Sequence, residues 1–293
     1  MKQKTISTNY LAMQALHQGE LYQAQELFRK NLKAERNALT LNNLGAFYSE
    51  YNILNPDLFE RDGRTYALHY VMLAVGEDNT GKSAFALGQI YASLGNYAEA
   101  VTWFLQSFEY KESFSAIYNA ALCKMRDRDF KQAEIYFKQA ESLANTGEMI
   151  DVLLGIAFSQ AYLDISKAIK TAQLVYKLEN NLFLYEKFML SYLLQDEAKS
   201  LAFAEKLQNH CLALPVKAMV LDVFLKSGKT VAAQCYFQTE YDIMKEAGRC
   251  TLTDRTAFRK CFSDAKYRND LIHTAFPAFE LKKSCIYIGC PYH

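Results

Sequence analysis

Apolar residues recur along this chain with the period of an α-helix. Leu87, Ile90, Tyr91 and Leu94 fall on one stripe, as do Ala133, Tyr136, Phe137 and Ala140. The sequence shows no strand-like alternation bounded by hairpin turns. Gly19, Gly95 and Gly228 sit where stripes end, and glycine there supplies the left-handed backbone that closes a helix. The pattern predicts an all-α protein.

A longer period lies over the helical one. Small residues recur on alternate helices at Ala12, Gly45, Gly88, Ala121 and Gly155, and on the helices between at Ala24, Ala67, Ala100, Ala133 and Ala168. A period of ~34 residues marks stacked helical hairpins, because one helix pair cannot bury its own apolar face. The small residues let paired helices approach, and Phe28, Phe104, Phe137 and Phe237 are expected to fill the space between hairpins. About six to seven hairpins are predicted in all. Residues 1–249 would form the array, clearest over 8–178. Residues 250–293 would supply a C-terminal helix and a non-helical tail capping the last hairpin. Gly45 and Ala67 lie farther apart than the other pairs, so an extended loop is expected within 51–64, around Asn55-Pro56 and Asp62-Gly63.

Composition supports this picture and narrows it. Only four prolines occur in 293 residues, none between Asp57 and Leu214, as long helices require. A net charge of +1 offers no whole-chain attraction to nucleic acid or an acidic membrane. Only Arg249–His293 is basic, with eight Lys/Arg against four Asp/Glu. No apolar run reaches the ~18 residues of a membrane span, and the start lacks a secretory signal. Seven cysteines without a framework favour free thiols in a reducing compartment, so a cytoplasmic location is expected.

Leu44-Gly45-x-x-Tyr48 and Leu87-Gly88-x-x-Tyr91, each followed by Ala and an aromatic or apolar residue on the next helix, resemble the tetratricopeptide repeat and its Sel1-like relative. The resemblance implies a right-handed α-α superhelix, a solenoid whose concave groove, lined by the first helices, holds an extended peptide or a partner's helix. In several relatives an Asn two residues before the small Gly/Ala holds the peptide backbone. Asn43 and Asn119 match that position; Tyr10, Ala86 and Leu153 do not. An amide suits the task because it both donates and accepts. Asn42 and Gln89 are placed on the same groove, with Tyr10, Phe85 and Tyr118 as aromatic anchors. Arg126 and Lys82 are the nearest substitutes for a basic carboxylate clamp.

Two other patterns in the sequence point to different chemistry. Gly76-Glu-Asp-Asn-Thr-Gly81-Lys82-Ser83 matches the phosphate-loop pattern, but the repeat register puts a helix before it, and Glu77 and Asp78 would repel a polyphosphate. The string is therefore assigned to a turn between hairpins. Cys285, Cys290 and His293 could supply three zinc ligands, yet the spacing lacks a tight knuckle, so no metal and no cofactor are assigned. No catalytic constellation is present, and no catalytic residue is assigned.

The function expected is a non-enzymatic adaptor or regulator binding a protein or peptide in the groove; neither membrane nor nucleic acid is an expected partner. Two alternatives stand beside it: a nucleic-acid- or nucleotide-linked regulator using the basic C-terminal segment, and a self-assembling homo-oligomer joined through Ile286–Tyr292.

Overall fold

The structure, a computed structural model, describes residues 2–51, 63–178, 182–207, 212–246, 252–272 and 279–292. Among these residues there are sixteen α-helices and no strand. They are α1 (Lys2–His17), α2 (Leu21–Ala34), α3 (Ala38–Tyr51), α4 (Gly63–Val75), α5 (Lys82–Ser93), α6 (Tyr97–Tyr110), α7 (Phe114–Arg126) and α8 (Phe130–Glu141). Then follow α9 (Met149–Ala161), α10 (Ile165–Tyr176), α11 (Leu184–Leu193), α12 (Glu197–Lys206), α13 (Leu214–Lys226), α14 (Thr230–Glu246), α15 (Leu252–Ser263) and α16 (Ala265–Ile272). The expected long loop within 51–64 falls mostly outside the described residues.

One turn is used five times to fold a first helix onto a second. After α1, α5, α7, α11 and α13 the chain enters the left-handed region at Gly19, Gly95, Arg128, Gln195 and Gly228. The next residue's N–H reaches back five positions, as in Asn96 to the Tyr91 carbonyl (2.9 Å) and Asp196 to Ser191 (3.0 Å). Such turns satisfy carbonyls that would end the helix unpaired. The same residue also opens the second helix: Asn96, Asp129 and Asp196 accept the N–H of Glu99, Gln132 and Lys199. The two helices of a hairpin are thus tied within three residues.

The small residues do what their spacing predicts. Ala12, Ala24, Ala67, Ala100, Ala121 and Ala133 are fully buried. A Cβ on Gly88 would lie 2.6 Å from the Phe104 ring, and one on Gly155 2.6 Å from the Phe137 ring. Bare Cα atoms therefore let those rings enter between helices. Phe28, Phe104 and Phe137 are buried as expected. Phe237 lies half-buried and packs on Phe258 and Phe262 of α15 at 5.3 and 4.7 Å, while its neighbour Tyr236 takes the deeper position.

The chain divides into two compact units. The first comprises Met1–Gly155 together with Glu280–His293; the second is Ile156–Phe279. The tail, expected over the last hairpin, instead belongs to the first unit. Within the second unit Phe188, Phe224 and Phe258 are fully buried. Asp222, 1% exposed, accepts from Tyr192 Oη (2.9 Å), Arg268 Nε (3.0 Å) and Lys226 Nζ (2.7 Å). A buried Lys217–Glu240 pair lies nearby in sequence. Burial and the Asp222 carboxylate push the Tyr192 phenol up, so its hydroxyl stays a donor.

Candidate functional site

Among the first helices of the first unit, α1, α3 and α7 carry buried amides: Asn9, Asn42, Asn43 and Asn119. On α3 every residue from Thr40 to Tyr48 is buried, so Asn42 and Asn43 have no route to solvent. Asn37 Oδ1 accepts the Thr40 N–H at 3.1 Å and fixes where the helix starts. Asn42, Asn43 and Asn119 are all 0% exposed. Buried amides require partners, and here the partner is the chain's own tail.

Asn43 and Ile288 bond in both directions. Asn43 Nδ2 donates to the Ile288 carbonyl at 2.9 Å, and the Ile288 N–H donates to Asn43 Oδ1 at 2.8 Å. Asn119 treats Lys282 the same way, with Nδ2 to carbonyl at 2.9 Å and N–H to Oδ1 at 2.7 Å. Between these two clamps Asn42 Nδ2 donates to the Ile286 carbonyl at 2.7 Å. Lys82 Nζ donates to the Tyr287 carbonyl at 2.6 Å. Asn9 Oδ1 accepts from Asn43 at 2.9 Å and braces it. Among the described residues Asn42 Oδ1 is buried without a donor.

Three tail side chains have receptors of their own. The Lys282 ammonium pairs with Asp151 and lies 5.3 Å from the Tyr118 ring centre. Tyr287 stacks on Phe28 at 6.0 Å and donates its hydroxyl to Glu50 Oε2 at 2.8 Å. Its phenol is held far above the ordinary range, first by burial and then by the Glu50 carboxylate. Ile286 is 1% exposed within the apolar cluster of the first unit. At the end of the tail Tyr292 stacks on His17 at 4.6 Å.

The phosphate-loop string proves to be a turn with an acidic cap. It follows α4 directly and opens α5. Asp78 Oδ1 accepts from the Thr80 N–H (2.8 Å) and Thr80 Oγ1 (2.6 Å), and Oδ2 accepts the Ser83 N–H (2.7 Å). The carboxylate thus occupies the place where an anion would meet the helix terminus. Burial alone would raise its pKa, but these hydrogen bonds outweigh it and hold Asp78 below the usual carboxylate range.

The remaining expected residues divide. Tyr118 is buried against Phe114 and Phe137 and offers its ring to Lys282. Phe85 is 4% exposed, packs edge-on to Phe104 and belongs to the same apolar cluster as Ile286 and Tyr287. Tyr10 is half-exposed and Gln89 half-buried, and among the described residues neither hydrogen-bonds to the tail. Arg126 lies 5.7 Å over the Tyr97 ring. Cys285 approaches Lys82 Nζ at 3.9 Å and the Tyr287 carbonyl at 3.8 Å, and burial raises its thiol. His293 lies outside the described residues, and among those described no group of three or more His, Cys, Asp or Glu is placed to hold a metal. Likewise no described helix is long and apolar enough to cross a membrane. Of the basic C-terminal residues, Arg268 is buried on Asp222, Lys260 lies over Tyr267, and Lys282 is paired.

Sequence reasoning did not single out Asn9, Glu50, Asp151 or Phe28 as groups that meet the tail. Asn9 alone left a signal, since it stands one repeat before Asn42 and Asn43. The others depend on where the tail runs.

The fold is that of an α-helical repeat protein. The tetratricopeptide repeat family model matches residues 81–114, which span α5 and α6. A tetratricopeptide repeat protein from Parabacteroides merdae ATCC 43184 is 14% identical, with a TM-score of 0.64 covering 89% of this chain and all of that one. PilW, a type IV pilus biogenesis factor, is 16% identical with a TM-score of 0.55, covering 71% of this chain and 94% of its own. Pseudomonas aeruginosa pilF is 17% identical, with a TM-score of 0.54 over 71% and 91%. None of the curated proteins compared matches the chain. The chain carries a tetratricopeptide repeat and has the fold of tetratricopeptide repeat proteins.

Proposed function

We propose that this chain is a non-enzymatic adaptor that holds an extended peptide segment of a protein partner along α1, α3, α5 and α7. The observation that carries the reading is the pair of two-way bonds from Asn43 and Asn119 to peptide backbone. An amide that meets both the N–H and the C=O of one residue reads backbone without regard to side chain, so the same clamps serve any extended segment. Receptor side chains fixed on packed helices lower the ordering cost of binding. Asp151 with Tyr118, and Phe28 with Glu50, then select a cationic and a phenolic side chain.

The test is capture of partners from the native cell by the wild-type chain and by the Asn43→Ala, Asn119→Ala pair, with crosslinks mapped on the bound protein. Loss of a crosslinked partner in the double variant supports the assignment. A partner held equally by both chains removes it.

A further inference from the structure

The segment filling this face has the contacts of a ligand. From Lys282 to Ile288 it gives four backbone carbonyls to Asn119, Asn42, Lys82 and Asn43, while Lys282, Ile286 and Tyr287 enter receptors and Cys285 lies half-buried beside Lys82. Lys283, Ser284, Gly289, Pro291 and Tyr292 remain exposed. The fit is also incomplete. Among the described residues Asn42 Oδ1 is buried with no donor, a state that costs stability. Beside the tail a cleft of about 750 Å³ lies open, bordered by Met13, His17, Glu50, Lys82 and Lys111. A competing segment has room to begin binding there before the tail has left.

Building on the peptide-holding reading above, we propose that the C-terminal tail is a built-in ligand that closes this face until a partner displaces it. The partner is an extended peptide with a Lys or Arg followed, four and five residues later, by Ile or Val and then Tyr. That spacing copies Lys282, Ile286 and Tyr287 onto the Asp151–Tyr118, apolar and Phe28–Glu50 receptors. The cation matches a carboxylate and a ring face, and the phenol matches a stacked ring and a carboxylate acceptor. A tethered segment meets its site at an effective concentration on the order of 1 mM. The same peptide supplied in trans therefore binds the intact chain with an apparent Kd on that order, however tight its intrinsic affinity.

The experiment uses a fluorescein-labelled synthetic peptide of residues 280–292 and full-length chains, read by anisotropy. The tail-weakened chain carries Lys282→Glu and Tyr287→Ala, which remove the two polar side-chain anchors and leave the receptors untouched. Its binding should be at least ~10-fold tighter than that of the intact chain. Helical circular dichroism checks the fold, and Lys282→Glu alone serves if the pair does not fold. Equal affinity for intact and tail-weakened chains overturns the closure, as does absence of binding to the tail-weakened chain at millimolar peptide. A dimer that exchanges tails between copies, seen by light scattering of the intact chain, also overturns it. Adding Asn43→Ala and Asn119→Ala to the tail-weakened chain separates the two claims. Binding unchanged by those substitutions rejects the peptide-holding face itself, whereas binding lost by them leaves the face standing whatever becomes of the closure.

Discussion

Lys82 Nζ lies 2.6 Å from the carbonyl oxygen of Tyr287, a contact between residues 205 positions apart. The lysine of a phosphate-loop-like string is therefore engaged by backbone, and Asp78 fills the adjacent helix terminus. Equilibrium dialysis with magnesium and ATP should show no stoichiometric retention. Retention that disappears in Lys82→Met would show that the string holds nucleotide after all.

Asp78 contributes through three hydrogen bonds, so Asp78→Ala should lower stability by about 1–2 kcal/mol in urea unfolding. The pH dependence follows from its lowered pKa. The carboxylate's contribution is complete above the unfolded value of about 3.9 and is lost as pH falls through the depressed folded value. Between pH 6 and pH 3 the difference between wild type and Asp78→Ala should therefore shrink only at the acid end. A difference that is constant to pH 2 would contradict the assigned cap.

Replacing the clamp amides by carboxylates keeps shape and reverses half of the hydrogen bonding. In Asn43→Asp and Asn119→Asp the oxygen that accepts the tail N–H survives, but the donor becomes an acceptor facing a carbonyl. Each substitution should weaken the hold on the tail by about 1–3 kcal/mol. Hydrogen exchange at Lys282 and Ile288 should rise accordingly, while α14 exchange stays the same. Unchanged exchange in the tail would mean that these bonds do not hold it.

Arg128 and Gln195 occupy left-handed positions, φ 64° and 57°, that glycine fills at 19, 95 and 228. Arg128→Gly and Gln195→Gly should each stabilise by about 0.5–1 kcal/mol, because the Cβ clash with the following carbonyl is removed. Urea midpoints measure this, and a lower midpoint in both variants would refute the strain.

Thiol reactivity should report both burial and tail position. Among the described cysteines Cys235 is exposed, whereas burial pushes Cys123 up to about 12 and Cys261 up to about 11. Alkylation at pH 8 with peptide mapping should label Cys235 first and Cys123 and Cys261 only after unfolding. Cys285, slow in the intact chain, should accelerate in Asn119→Asp. Equal rates for Cys235 and Cys285 in the intact chain would argue against a bound tail.

Local periodicity made much of this legible. Helical hairpins follow from a repeat of small residues, and the resemblance to the tetratricopeptide repeat, laid on that register, singled out Asn43 and Asn119, which bond the backbone of the chain's own tail. Neighbouring aromatics were harder to read. Tyr236 and Phe237 are adjacent rings, and a 3.6-residue period cannot decide which of the two turns deeper. The Gly88 gap draws Phe104 inward, and Phe85 packs on that ring. What occupies the face was not legible at all, because the tail's partners lie over 100 residues earlier and share no pattern with it. In the sequence Asp78 reads only as a charge opposed to phosphate. Its role in capping α5 depends on turn geometry that composition does not encode.

Stacked hairpins ordinarily interact with their immediate neighbours, so such arrays melt progressively from their ends. Here a single extended segment, through backbone and side chains, buckles His17 on α1, Asn43 on α3, Lys82 on α5, Asn119 on α7 and Asp151 on α9 together. The first unit is belted, and its outermost pair cannot fray without undoing the same strap that crosses its middle. Whatever loosens the strap converts one sharp melting event into several shallow ones.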